Sequence, residues 1–307
     1  KNPETEKFHI PESLGNLCPR SMKKAGAQHQ RCRATRPITA TTDNCPLGIS
    51  APPARQQRSP SVNPRPMNLL AFDTSTDTLS IAVQRGDAVW QHTGAGGAQA
   101  SAALIPAIQR LLAEAGLGFD TLDAIVFGRG PGSFTGLRTA CAVAQGLAFG
   151  ARNGQGTPVV PVDTLLAVAE EARHQHGCTQ VLAVLDARMN EVYSAHCTWQ
   201  EATRQWSTDA DFGLCAPEAL TLADAALWTV AGNAQAAYGE RLLPQARHVA
   251  ALPTATALLR LAPALLAAGA AVPASEALPR YIRDKVAQTT AEREALRAQA
   301  AAGTTAP

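Results

Sequence analysis

The sequence predicts an α/β protein of two related halves, each with a mixed sheet flanked by helices. Three observations carry the prediction. Apolar runs of strand length alternate with amphipathic stretches at helical spacing from residue 67 onward. The order strand–strand–strand–helix–strand–helix occurs once clearly and again, more weakly, after residue 180, which favours mixed sheets over an all-parallel Rossmann domain. A run of closely spaced glycines joins a buried strand to a helix at residues 128–136.

Residues 68–73 (NLLAFD) form an apolar run closed by Asp, as in a buried strand. Residues 74–77 supply turn chemistry, 79–85 alternate as a second strand, Gly86-Asp87 signals a hairpin, and 88–93 make a third strand. The glycine-rich stretch 94–97 precedes a helix over 101–116, with its apolar stripe at Leu104, Ile108, Leu111, Leu112 and Ala115 and its stop at Gly116. A buried strand at 123–127 leads into a helix over 133–149, and a strand at 158–162 into a helix ending near His176. The second half opens with a strand pair, 180–186 and 191–199, around the turn 188–190, with a third strand at 211–215. A helix over 217–226, a strand at 228–231 and helices over 234–243 and 255–268 complete it. The expected organisation is a first half at 67–165, a degenerate second half at 166–286 and an alanine-rich tail at 287–307.

Of 307 residues, 46% are apolar and 5% aromatic, enough for one large or two small cores. The net charge of +2 averages two unlike parts: residues 1–66 hold 11 Lys+Arg against 4 acids, and the remainder holds 16 against 21. An acidic body argues against tight independent binding to a polyanion. Residues 1–66 also hold 10 of the 21 prolines and no hydrophobic periodicity, so a disordered, non-native extension ahead of Met67 is expected there. Lys285 is the single lysine after residue 66, which excludes lysine chemistry within the fold. The seven cysteines show no pairing pattern, no apolar run reaches membrane-spanning length, and a cytoplasmic location is expected.

The stretch Gly128-Arg129-Gly130-Pro131-Gly132-Ser133-Phe134-Thr135-Gly136-Leu137-Arg138 is the most informative. Gly128, Gly130 and Gly132 permit a path that side chains would block, and Ser133 is placed to cap the next helix, where free N–H groups favour an anion. Ser133 stands where a dinucleotide fingerprint needs its third glycine, a Walker loop would need a lysine, and a nucleophile elbow would need glycine in place of Pro131. The loop reads as a tight junction with an optional phosphate contact at Gly128, Gly130, Gly132 and Ser133. On the helix that follows, Gly136, Ala140, Ala144 and Ala148 recur every four residues, a stripe open to close approach by this protein's own sheet or by a partner. Asp73 with Asp77 can be drawn as a metal pair, and His174, His176 and Cys178 as a zinc cluster; local hydrogen bonding and solvation are the better readings. Asp186, Arg188 and Glu191 sit in one hairpin and are able to pair with each other. No metal site and no catalytic residue is expected.

Four blocks in order resemble the TsaB (YeaZ) family: Leu69-Leu70-Ala71-Phe72-Asp73-Thr74-Ser75-Thr76, the loop from Gly128 to Arg138, Asp186-Ala187-Arg188-Met189-Asn190-Glu191-Val192-Tyr193, and Pro279-Arg280-Tyr281-Ile282-Arg283-Asp284-Lys285-Val286. The resemblance implies an actin/Hsp70-like (ASKHA) fold and a role with TsaD, TsaE and TsaC in forming threonylcarbamoyladenosine in tRNA. It implies a non-catalytic scaffold that pairs with TsaD, with TsaE alongside, and reaches tRNA only through the complex. ATP and a metal would belong to the partner subunits, and this chain would need no cofactor of its own. TsaD holds its metal partly through a His-x-x-x-His segment, and the matching stretch here, Val162-Asp163-Thr164-Leu165-Leu166-Ala167-Val168, contains no histidine. The resemblance also places the TsaD contact on the helices at 101–116 and 133–149, which would put Gly136, Ala140, Ala144 and Ala148 at that interface. The same surface would support a homodimer when TsaD is absent. The glycine-rich stretch 94–99 departs from the bulkier residues usual in the family. The runner-up function is an independent ASKHA ATPase or phosphotransferase, which would need a second phosphate loop in the second half. A peptidase would need a metal pair or an activated nucleophile.

Overall fold

The computed structural model describes residues 66–209 and 211–283. The extension expected at 1–66, apart from its last residue, the tail at 287–307, and Asp284, Lys285 and Val286 lie outside the described residues.

The first half runs β1 (Asn68–Asp73), β2 (Thr78–Arg85), β3 (Ala88–Ala95), α1 (Ala100–Ala115), β4 (Ala124–Gly130), α2 (Phe134–Gly150), β5 (Val159–Asp163) and α3 (Thr164–His176). The second runs β6 (Gln180–Arg188), β7 (Glu191–Gln200), β8 (Gln205–Thr208), β9 (Gly213–Cys215), β10 (Thr229–Gly232), α4 (Ala234–Tyr238), β11 (Arg247–Ala250) and α5 (Ala255–Ala267). The first sheet has the order β3-β2-β1-β4-β5 and the second β8-β7-β6-β10-β11, with β9 added beside β7. In both sheets the first three strands are antiparallel and the last two continue parallel to the third. The two sheets are therefore topological repeats of one another.

Each sheet is apolar on both faces. Leu70 and Phe72 of β1 point to α1 and α2, where they join Leu104, Ile108, Leu111 and Leu112. The alternate residues Leu69 and Ala71 point the other way, to Leu258, Leu261 and Ala262 of α5. The second sheet buries Val181, Ala183 and Leu185 against Leu165, Val168 and Ala172 of α3, and Leu182 and Val184 against Val230 and Leu242. The helix that follows the first sheet in sequence thus covers the second sheet, and the last helix returns to cover the first. α3 and α5 pack against each other between the sheets.

Two expected helices are corrected. Residues 217–226 make only a single 3₁₀ turn, Pro217–Ala219, because Leu220 and Leu222 reach the second core from an extended, period-two backbone. The helix expected at 234–243 stops at Tyr238, where Gly239 adopts φ 54°. β8 and β11 were not anticipated; they are four-residue strands at the two edges of the second sheet. Among the described residues no helix is long and apolar enough to cross a membrane.

Candidate functional site

The exit of β1, the loop before α2 and the β6–β7 turn converge on a cleft of about 260 Å³. Ser75, Thr76 and Asp77 form one wall, Gly132, Ser133 and Phe134 the next, and Asp186, Arg188, Asn233 and Arg283 the side given by the second half.

The loop is stitched to the β1 exit by its own backbone. The Ser133 N–H donates to Ser75 O (2.7 Å), and Thr74 Oγ1 donates to Gly136 O (2.7 Å). A side chain at Gly128 would run into the Asp73 carboxylate, one at Gly132 into Ser75, and one at Gly136 into the Thr74 carbonyl. Gly130 adopts φ 118° beneath the Arg280 carbonyl. Of the four loop residues considered for a phosphate contact, Gly132 and Ser133 line the cleft, whereas Gly128 and Gly130 lie beneath it against Asp73 and Arg280. The glycines answer to close packing within the chain. Ser133 makes no side-chain cap on α2, and its N–H is already committed.

The stripe Gly136, Ala140, Ala144 and Ala148 does not face a partner. All four residues are buried within the first half, and Ala140, Ala144 and Ala148 belong to the same core as Phe72, Ile125 and Phe127. Small residues there let α2 lie close on its own sheet. The outward face of α2 carries Arg138, Ala142, Gly146 and Phe149 instead, with Phe149 75% exposed.

Asp73 is fully buried. Its Oδ1 accepts from Ser75 N (2.8 Å) and Ser75 Oγ (2.6 Å), while Oδ2 has no hydrogen-bond partner among the described residues. Burial pushes its pKa up to about 6, against the opposing pull of the Ser75 hydrogen bonds. Asp77 is separated from it in function: its exposed carboxylate bridges the cleft to Arg188 Nη2 at 2.6 Å. Arg188 also pairs with Asp186 (3.1 Å). Arg188, Met189 and Asn190 take φ 62°, 58° and 59°, three successive left-handed residues without a glycine. His174, His176 and Cys178 bring no metal set together; among the described residues no cluster of three or more His, Cys, Asp or Glu has metal-binding geometry. Cys141, Cys178 and Cys197 are buried thiols, and burial with nearby acids pushes Cys197 up to about 12.

Residues 279–283 cross the mouth of the cleft from one half to the other. Arg280 N–H donates to Arg129 O (2.7 Å), and its guanidinium meets Asp163 (3.2 Å) beside Arg129, which holds the same carboxylate at 2.6 Å. The Arg280 guanidinium also lies 3.9 Å from the centre of the Phe212 ring. Tyr281 packs on Phe134, and its hydroxyl accepts from Arg138 (3.2 Å). Arg283 donates to Ala187 O (3.1 Å) and to the Glu191 carboxylate (2.6 Å). Sequence reasoning gave no role to Arg280, Tyr281 or Arg283; the signal was their place in the fourth block of the family resemblance, from Pro279 to Val286.

Two repeated mixed sheets, exchanged packing helices and a cleft between the halves define an actin/Hsp70-like protein. A family model described as TsaD, tRNA N6-adenosine threonylcarbamoyltransferase, matches residues 96–216. The "tRNA threonylcarbamoyladenosine biosynthesis protein TsaB" of Haemophilus influenzae is 40% identical over 159 residues, covering 50% of this chain and 65% of the relative. The Escherichia coli protein of the same name is 33% identical over 232 residues, covering 72% of this chain and 96% of the relative. Among solved structures, YeaZ from Pseudomonas aeruginosa is 38% identical with a TM-score of 0.63, covering 70% of this chain and all of its own. A second structural neighbour, also 38% identical, is described by its similarity to a peptidase YeaZ. The chain belongs to the TsaB (YeaZ) family.

Proposed function

We propose that this chain is the non-catalytic partner subunit that pairs with TsaD, together with TsaE, to form threonylcarbamoyladenosine in tRNA. One observation carries the reading: the cleft between the halves is occupied by the protein's own groups. The Arg188–Asp77 pair bridges it, Arg283 closes it from the C-terminal side, and the remaining space of about 260 Å³ is small for a nucleoside triphosphate. The stretch that opens α3, from Asp163 to Val168, presents no imidazole to a metal. In this reading ATP and a metal are held by the partner subunits, tRNA is reached through the complex, and the chain works in the cytoplasm.

The partner face is the outward side of α1 and α2, where Ile105 (40% exposed) and Phe149 (75% exposed) stand among small residues with few charges. The same face would hold a homodimer in the absence of TsaD. Reconstitution tests the proposal. TsaD, TsaE, threonylcarbamoyl-adenylate and tRNA should give modified product only when this chain is present, and the chain alone should neither modify tRNA nor turn over ATP. Full product formation without it overturns the reading.

A further inference from the structure

Away from the cleft, α3, α5 and the β7–β8 hairpin enclose a second cavity of about 360 Å³. Small-molecule sites typically measure about 300–1,000 Å³. Leu166, Leu261 and Leu265 form its aliphatic wall, and Trp199 and Trp206, with ring centres 5.5 Å apart, form the aromatic one. The Arg173 guanidinium already covers one face of Trp199 at 4.1 Å, which leaves Trp206 and the leucines as the open platform.

The polar floor is Glu170, with only 2% of its side chain exposed. Each carboxylate oxygen accepts two hydrogen bonds: Oε1 from Arg173 Nη2 and Arg260 Nε, both at 2.9 Å, and Oε2 from Arg173 Nε (2.9 Å) and Trp206 Nε1 (3.0 Å). Arg260 reaches on to Glu171 through Nη2 at 2.5 Å. The floor carboxylate is saturated and offers a ligand nothing to donate to. The Nη1 groups of Arg173 and Arg260 make no hydrogen bond among the described residues, and Arg204, also lining the cavity, has no acidic partner among them. Glu201, the acid at this rim, accepts from Trp199 Nε1 at 2.7 Å. Apart from the saturated Glu170 carboxylate, the charged side chains lining the cavity are the donors Arg173, Arg204 and Arg260, set in an apolar and aromatic wall.

We propose that this cavity binds a small organic anion with a flat apolar body, the body on Trp206 and the leucines and the anionic group on Arg173, Arg204 and Arg260. The site is independent of the cleft and of the partner face. The probe for it is 8-anilinonaphthalene-1-sulfonate, titrated calorimetrically into the full chain. One site per chain is expected. Ala264→Phe, which fills the cavity, should weaken binding about tenfold or more, and Ala268→Phe at the exposed rim should do the same without touching the core. Arg204→Gln should weaken it several-fold, and the neutral N-phenyl-1-naphthylamine should bind about tenfold less tightly. Binding unchanged by both phenylalanines, equal binding of the neutral probe, or no binding at all each overturns the proposal.

Discussion

At Asp73 a single carboxylate is fully buried, with one oxygen unpartnered among the described residues. Its folded pKa of about 6 lies above the reference value of 3.8, so the folded state holds a proton more tightly than the unfolded chain. Above about pH 6 the buried charge therefore costs stability; the cost fades as pH falls through 6 and is gone below 3.8. Asp73→Asn keeps an acceptor for Ser75 and removes the charge. Thermal melts should show the variant more stable at pH 7.5, by up to about 3 kcal/mol at the rate of about 1.4 kcal/mol per pKa unit, with the gain shrinking toward pH 4.5. A variant less stable at pH 7.5 would mean that the carboxylate has a charge partner in solution. The aspartate itself was legible as the end of a buried strand. Its burial was not, because the groups that seal it, from Gly128 to Gly136, arrive from more than fifty residues along the chain.

Among the elements, α2 shows where a pattern can be read but not its direction. The four-residue repeat of small side chains correctly marks a face of close approach, and nothing in that spacing tells a sheet of the same chain from a partner. The core contacts decide it: Ala144 touches the first core, while Gly146 looks into open space. Ala144→Phe should overpack that core, costing about 1–3 kcal/mol and lowering the melting temperature by several degrees. Gly146→Arg should leave the melting temperature unchanged or slightly raised, since glycine is the weaker helix former, yet lose TsaD in a pull-down. Retained TsaD binding by Gly146→Arg would move the partner face elsewhere. Long periodic elements such as β1 and α1 were legible because their apolar residues are contiguous or helically spaced. β8 (QWST) and β11 (RHVA) were not, since short polar strands form through their neighbours' ladders and carry little pattern of their own.

For the molecule as a whole, the repeated order of the two sheets was legible from the recurrence of strand and helix, with the second copy faint because its first helix has shrunk to one turn and its second to five residues. The role of residues 279–283 was not legible in the sequence, because it lies in what they span: Arg280 ties to Arg129 and Asp163 in one half, and Arg283 to Ala187 and Glu191 in the other.

The exchange of α3 and α5 between the sheets makes the two halves interlocking parts, each completed by a piece that the other supplies. A fragment cut after Cys178 keeps the first sheet but lacks α5, so Leu69, Ala71 and Val126 lose most of their cover, and the face of α3 that carries Leu165, Val168 and Ala172 is left without the second sheet it packs on. The complementary fragment has the reverse fault. Expressed separately, residues 67–178 and 179–307 should each be insoluble or molten; produced together, they should assemble into a soluble, cooperatively melting pair without a covalent link. Independent folding of either fragment, measured by a sharp thermal transition on its own, would count against this. On the expected outcome, the duplication visible in the sheets is an inheritance that the packing has made indivisible: two copies in topology, one unit in folding.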